Sequence, residues 1–143
     1  MVTSNMKKSL LKRILKKKPK RSPFCSAVIA AAGNSTRMNG TDKLFLNIHG
    51  VPVIAHTLTA FQKSESINEI IIVTRQDSIN RISDLCEQYH ITKANKIMVG
   101  GSSRLESVFN GVTAVSSMSE IIAINSKFVG FLLTLFAVYP KSR

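Results

Sequence analysis

From Phe24 onward the chain alternates short apolar runs with longer segments that are apolar on one side only, and no other feature restricts its fold as much. "CSAVIAAA" (25–32) shows no alternation of polar and apolar positions, as expected of a strand covered on both faces. "VPVIAHTLTAFQ" (51–62) predicts a helix with Ile54, Leu58 and Phe61 on one face and Pro52 in its first turn. "EIIIVT" (69–74) predicts a second buried strand. "SINRISDLCEQY" (78–89) predicts a helix that turns Ile79, Ile82, Leu85, Cys86 and Tyr89 inward, with Ser78 as N-cap. "KIMVGG" (96–101) is a short third strand ending on two glycines. "SRLESVFNGVTAV" (103–115) is a third helix with Leu105, Val108, Val112 and Val115 on one side, and "EIIAI" (120–124) is a fourth strand. There is no internal repeat. Strand and helix in alternation predict right-handed crossovers and a mostly parallel sheet. Such sheets bind ligands beyond the carboxyl ends of their strands.

The 143 residues fit one domain, and 44% hydrophobic content argues against general disorder. The formal charge of +12 is unevenly placed. Residues 7–21 hold nine Lys or Arg and no acid, which leaves eleven basic residues to face eight acids elsewhere. Residues 1–23 therefore read as a basic N-terminal extension, set off by Pro19 and Pro23. Its "SLLKRILKKK" places Leu10, Leu11, Ile14 and Leu15 on one helical face. That pattern suits either a solvated extension or loose contact with nucleic acid or an anionic membrane.

The extension lacks a continuous apolar core, so it is not read as a signal peptide. "FVGFLLTLFAVY" (128–139) has twelve residues, too few to span a bilayer as a helix. Cys25 and Cys86 stand in no metal-like spacing and read as ordinary thiols in a reducing, cytoplasmic compartment. His49, His56 and His90 form no metal-ligand pattern and read as structural or solvent-facing.

Two loops fall at predicted strand ends. "GNSTRMNGTDK" (33–43) fails both GxxxxGK[ST] and GxGxxG, so a P-loop NTPase and a dinucleotide dehydrogenase are disfavoured. It still suits an anion. Gly33 lets a ligand approach the backbone, Arg37 offers a five-donor fork, and Lys43 adds a second charge. Two cations flanking an amide-lined loop can hold a polyphosphate and neutralise charge at a phosphorus under attack. The plainer alternative is a surface loop with two solvated cations. The second loop, "GGSSRLES" (100–107), joins a strand end to a helix start and can read a base edge or bind an anion. It also reads as an N-capped helix, with Ser102 or Ser103 as cap and Glu106 completing a capping box. Ser107, one turn in, could aim its hydroxyl at the same place.

"AVIAAAGNSTRMNGTDKLFLNIHGVPVIAHTLTAFQ", "INEIIIVT" and "VGGSSRLESVFNGV" together closely resemble the amino-terminal half of the 2-C-methyl-D-erythritol 4-phosphate cytidylyltransferase family, over about residues 25–124. Any one piece alone is weak; the combination is specific. The resemblance implies an α/β fold, a Rossmann-like three-layer sandwich of the nucleotide-diphospho-sugar transferase type. It implies transfer of CMP from CTP to 2-C-methyl-D-erythritol 4-phosphate with release of pyrophosphate, using Mg²⁺, in non-mevalonate isoprenoid synthesis. On that resemblance Ala31, Ala32 and Gly33 line the CTP site, Arg37 and Lys43 stabilise the transition state, and Gly101, Ser102 and Ser107 contact the cytosine. Ribitol-5-phosphate cytidylyltransferases share much of this half.

After "EIIAI" the family continues with His-Asp-[AG]-Ala-Arg-Pro, whose aspartate ligates Mg²⁺. Here Asn125 stands at the histidine position and Ser126 at the aspartate position. A hydroxyl is a poorer ligand than a carboxylate for a hard divalent cation. The family's dimer arm and its acceptor-binding residues are also not found. The expectation is a truncated nucleotide-binding half (24–124) followed by a non-family tail (125–143), translated in another frame or from a shortened gene. Sequencing the DNA near codon 125 tests this. The sheet would then present an uncovered edge at "EIIAI". A chain of this kind is either an impaired transferase or a non-catalytic fragment that keeps only nucleotide binding.

Overall fold

The computed structural model describes residues 21–33 and 42–126, and the backbone of 138–140. The basic extension up to residue 20, and the loop 34–41 with Arg37, lie outside the described residues. The elements are β1 (Cys25–Ala30), β2 (Asn47–Ile48), β3 (Val51–Pro52), α1 (Val53–Lys63), β4 (Glu69–Thr74), α2 (Ile79–Gln88), β5 (Ala94–Val99), α3 (Arg104–Ala114), β6 (Ile121–Asn125) and β7 (Val138–Pro140). Single 3₁₀ turns lie at Lys43–Phe45 and Gln76–Ser78.

The main sheet runs β5-β4-β1-β6-β7. β1 pairs in parallel with both β4 and β6, so that Val28 lies between Ile71 and Ile124. β4 pairs in parallel with β5. The chain thus steps outward from β1 to β4 to β5 and then returns across β1 to β6. Right-handed crossovers put the outward helices on one face and the returning helix on the other. The packing follows that rule. Ala27, Ile29, Ile70 and Ile72 meet Ile54, Leu58 and Phe61 of α1 and Ile82 of α2. On the opposite face Val28, Ile71, Val73, Ile122 and Ile124 meet Val108 and Val112 of α3 and the adjoining Val115. The result has the mostly parallel sheet that the alternation predicts, in the three-layer α/β sandwich that the family resemblance implies.

Several details differ from the sequence-based expectations. Val51 and Pro52 form β3, and Pro52 is the N-cap of α1 rather than a residue of its first turn. β2 and β3 form an antiparallel hairpin whose two-residue loop, His49 and Gly50, has φ of 51° and 78°. Positive φ at both central residues is what a type I′ turn requires. His56 of α1 donates from Nε2 to the Ile48 carbonyl at 3.0 Å and so ties the hairpin to the helix. Ser78 sits at the N-cap position of α2 but makes no capping bond. Its hydroxyl instead donates to Asp77 Oδ1 at 2.9 Å.

The buried stripe of α3 is also rotated. Leu105 is 79% exposed, while Ser107 and Gly111 are buried. A Cβ on Gly111 would collide with Val28 Cγ1 and come within 2.9 Å of Val73 Cγ2. The helix axis can approach the sheet this closely because that side chain is missing. The uncovered edge expected at "EIIAI" is not found. β7 pairs antiparallel with β6, with Ile122 opposite Tyr139, and occupies it.

One buried charge stands out at the amino end of the sheet. Glu69, the first residue of β4, is 2% exposed. Its carboxylate accepts from Ser26 Oγ at 2.5 Å, Ser116 N at 3.0 Å and Asn95 Nδ2 at 3.1 Å. A buried carboxylate is tolerated when its lone pairs are taken up in this way.

Candidate functional site

The carboxyl ends of β1, β4, β5 and β6 surround a cavity of about 690 Å³. That size falls in the usual range for small-molecule sites. Ala31, Ala32 and Gly33 line it from the end of β1, Thr74 and Arg75 from the end of β4, residues 99–103 from the end of β5, and Ser126 from the end of β6. Lys43, Arg104 and Ser107 complete the wall. Of the residues singled out in the sequence, Ala31, Ala32, Gly33, Lys43, Gly101, Ser102, Ser107 and Ser126 are therefore brought together. Arg37 lies outside the described residues.

The glycine–serine loop is held by its own helix. Ser103 is the N-cap of α3, its hydroxyl accepting from Glu106 N at 3.1 Å. Of the two candidate caps, Ser103 is the one used. The Glu106 carboxylate accepts from Ser102 N at 2.7 Å and from Ser102 Oγ at 2.6 Å. It thus reaches one residue beyond the cap, a variation on the predicted capping box. These bonds from Ser102 hold the Glu106 carboxyl below its ordinary value. Ser107 Oγ accepts from Gly101 N at 3.1 Å and donates to the Ser103 carbonyl at 2.9 Å. Ser103→Ala removes one cap acceptor and is expected to lower stability by about 1 kcal/mol, read as a shifted midpoint in urea unfolding.

Gly100 has a different purpose. A Cβ there would lie 2.5 Å from Ala32 Cβ and 2.6 Å from Ser107 Oγ. The first and second loops can meet only because this position carries no side chain.

Lys43 begins the 3₁₀ turn, and Asp42 caps that turn by accepting from Leu44 N at 3.1 Å. Leu44 and Phe45 bury their side chains and fix the turn to the core. Arg75, which the sequence reading passed over, reaches Asp42 Oδ2 from Nη2 at 2.6 Å and Asp77 Oδ1 from Nε at 3.1 Å. The hydrogen bond to Asp77, opposed by burial and reinforced by Asp42, strengthens its hold on its proton. The available signal was an arginine directly after a buried strand, at the end where ligands bind. Arg81 stacks over the Phe45 ring, 3.8 Å from its centroid.

The described lining holds Lys43, Arg75 and Arg104 and no Asp or Glu, with Asp42 and Asp77 held against Arg75 and Glu106 against Ser102. No group of three or more His, Cys, Asp or Glu among the described residues could hold a metal ion. Ser126 and Thr74 line the cavity at the ends of β6 and β4. Thr74 Oγ1 and Asn125 Oδ1 are each buried without a hydrogen-bond partner among the described residues. Cys25 and Cys86 are both free, and burial pushes the Cys86 thiol up to about 11. No described helix is long and apolar enough to cross a membrane.

Known proteins share the sequence and the fold of this region. The family model described as IspD, 2-C-methyl-D-erythritol 4-phosphate cytidylyltransferase, matches residues 25–127. The cytidylyltransferase of that name from Clostridium botulinum strain Langeland is 44% identical over 101 residues, covering 70% of this chain and 44% of that protein. The enzyme of the same name from Dehalococcoides mccartyi strain 195 is 43% identical over 96 residues, covering 67% of this chain and 42% of that protein. Among solved structures, 4-diphosphocytidyl-2C-methyl-D-erythritol synthase from Anaerococcus prevotii matches with a TM-score of 0.60 at 30% identity, over 73% of this chain and 43% of that one. The chain thus spans less than half the length of these relatives. Strand order, the loops that meet at the cavity and the matched residues all lead to one assignment: the chain belongs to the 2-C-methyl-D-erythritol 4-phosphate cytidylyltransferase family.

Proposed function

We propose that the cavity receives CTP and serves cytidylyl transfer to 2-C-methyl-D-erythritol 4-phosphate. The observation that carries this reading is a wall at the strand carboxyl ends that combines Lys43, Arg104 and the Gly100–Gly101 loop with no described carboxylate. Such a wall favours a polyphosphate. In the reaction a phosphate oxygen of the acceptor attacks the α-phosphorus. The bond from that phosphorus to the bridging oxygen breaks, and pyrophosphate leaves with the electron pair. Lys43 offsets the charge that grows on the phosphoryl oxygens, with Arg37 as the second cation expected from the family resemblance. Ala31, Ala32 and Gly33 present backbone to the nucleotide. Gly101, Ser102 and Ser107 form the surface expected to meet the cytosine.

The described lining does not fit a protein-held Mg²⁺. The lining holds no described Asp or Glu, and at the position where the resemblance expects an aspartate it holds Ser126, whose hydroxyl suits a hard cation less than carboxylate oxygen. The same observation favours a second reading, nucleotide binding without turnover. The free thiols suit a reducing, cytoplasmic setting.

Calorimetric titration with CTP tests the nucleotide site. Lys43→Gln is expected to weaken binding about tenfold, equivalent to about 1.4 kcal/mol. Pyrophosphate release with CTP and 2-C-methyl-D-erythritol 4-phosphate then separates the two readings. Release above a blank supports transfer, and binding without release supports the second reading. No CTP binding by the wild-type chain rejects both.

A further inference from the structure

We propose that Arg75 is a positioning residue that sets Lys43 at the cavity by holding Asp42. The proposal rests on the nucleotide reading above only for its effect on affinity; its structural part stands separately.

Three observations carry it. First, Arg75 leaves the end of β4 and grips Asp42 Oδ2 at 2.6 Å, across 33 positions of sequence. The two side chains are 26% and 15% exposed, so water screens this pair less than it would a surface pair. Second, Asp42 uses its other oxygen, Oδ1, to cap Leu44 N at 3.1 Å. One carboxylate thus links the guanidinium to the turn on which Lys43 is the first residue. Third, the same β4–α2 segment holds the far end of that turn. Arg81 stacks on Phe45 at 3.8 Å, and Leu44 and Phe45 are buried beneath it. The turn is therefore clamped at both ends by arginines from one segment.

Arg75 itself is poorly placed to serve as a further phosphate cation, although it lines the cavity. Its Nη2 is shared by Asp42 and Ser78 Oγ, at 2.6 and 3.3 Å, and its Nε is taken by Asp77 at 3.1 Å. Two carboxylates already face its single charge. Its contribution to an anionic ligand passes through the placement of the neighbouring lysine.

The test uses the full chain and a double-mutant cycle. Arg75→Gln is expected to weaken CTP binding about three- to tenfold, and to change it less than twofold when Lys43→Gln is already present. Equal losses in both backgrounds would overturn the proposal, because Arg75 would then act on the nucleotide directly or on general stability. A second arm needs no nucleotide. Arg75→Gln and Asp42→Asn are each expected to speed hydrogen exchange at the Leu44 amide and to alter the acylation rate of the Lys43 amine, whereas Asp77→Asn leaves both unchanged. Unchanged exchange and acylation in Arg75→Gln and Asp42→Asn, with thermal midpoints showing folded protein, would also overturn it. Should the wild-type chain bind no CTP, the nucleotide reading fails and this second arm alone decides the positioning role. Should Arg75→Gln not fold, Asp42→Asn carries both arms.

Discussion

Gly111→Val is expected to destabilise the domain by about 3 kcal/mol or more, seen as a large fall in the urea midpoint or as loss of a cooperative transition. The added side chain would occupy space held by Val28 and Val73. Neither valine can yield easily. Val28 lies on β1, hydrogen-bonded to strands on both sides, and both residues are fully buried. The alternative is for α3 to lift away and expose Ile71, Ile122 and Ile124 beneath it. Alanine gives a sharper comparison because the sign of its effect decides the matter. At an open helical position, Gly→Ala gains about 1 kcal/mol. Here Gly111→Ala is expected to lose stability, by about 1–3 kcal/mol. A stabilising Gly111→Ala would show that α3 does not approach the sheet as described.

The second large effect belongs to Glu69. Glu69→Ala leaves the Ser26 hydroxyl, the Ser116 amide and the Asn95 amide without their acceptor, and is expected to cost about 2–4 kcal/mol. Burial pushes this carboxyl up, but the hydroxyl of Ser26, the N–H of Ser116, the amide of Asn95 and the charge of Lys96 together hold it below its ordinary value. A folded-state value below the unfolded one means that the folded chain binds the proton less readily. The stabilisation is therefore complete above the unfolded glutamate value of about 4.3 and fades as the pH falls through the lower folded value. Wild-type stability should drop on acidification below about pH 4. Glu69→Gln should be less stable at neutral pH and flatter across that range. Equal acid slopes in the two proteins would reject this account.

Much of the scaffold was readable from pattern alone. β1 and β4 announce themselves as unbroken apolar runs, and α1 and α2 as stripes of period 3.6. What escaped the pattern had a physical cause each time. Hydrophobic periodicity gives glycine and serine no weight, so it placed Leu105 on the buried side of α3, where Ser107 and Gly111 lie instead. The β2–β3 hairpin escaped because each of its strands has two residues, too few to show an alternating pattern. β7 lies at the end of the apolar run 128–139, whose hydrophobicity suits a buried element beside "EIIAI" but gives neither its register nor its direction.

The site divides in the same manner. The glycine–serine loop and Lys43 are legible because they sit at strand ends in a local motif. Arg75 was invisible because its meaning lies in a contact with Asp42, far away in sequence. Glu69 was read only as the start of an apolar strand, since its three partners come from β1, β5 and the residue after Val115.

β1, β4, β5 and β6 run in one direction, and the Glu69 knot and the cavity lie at their opposite ends. Heat tolerance and ligand recognition thus have separate addresses in this molecule. Substitutions around Ser26, Asn95 and Ser116 can retune how firmly the scaffold holds together without disturbing what it recognises, and a lineage could trade one property freely while conserving the other.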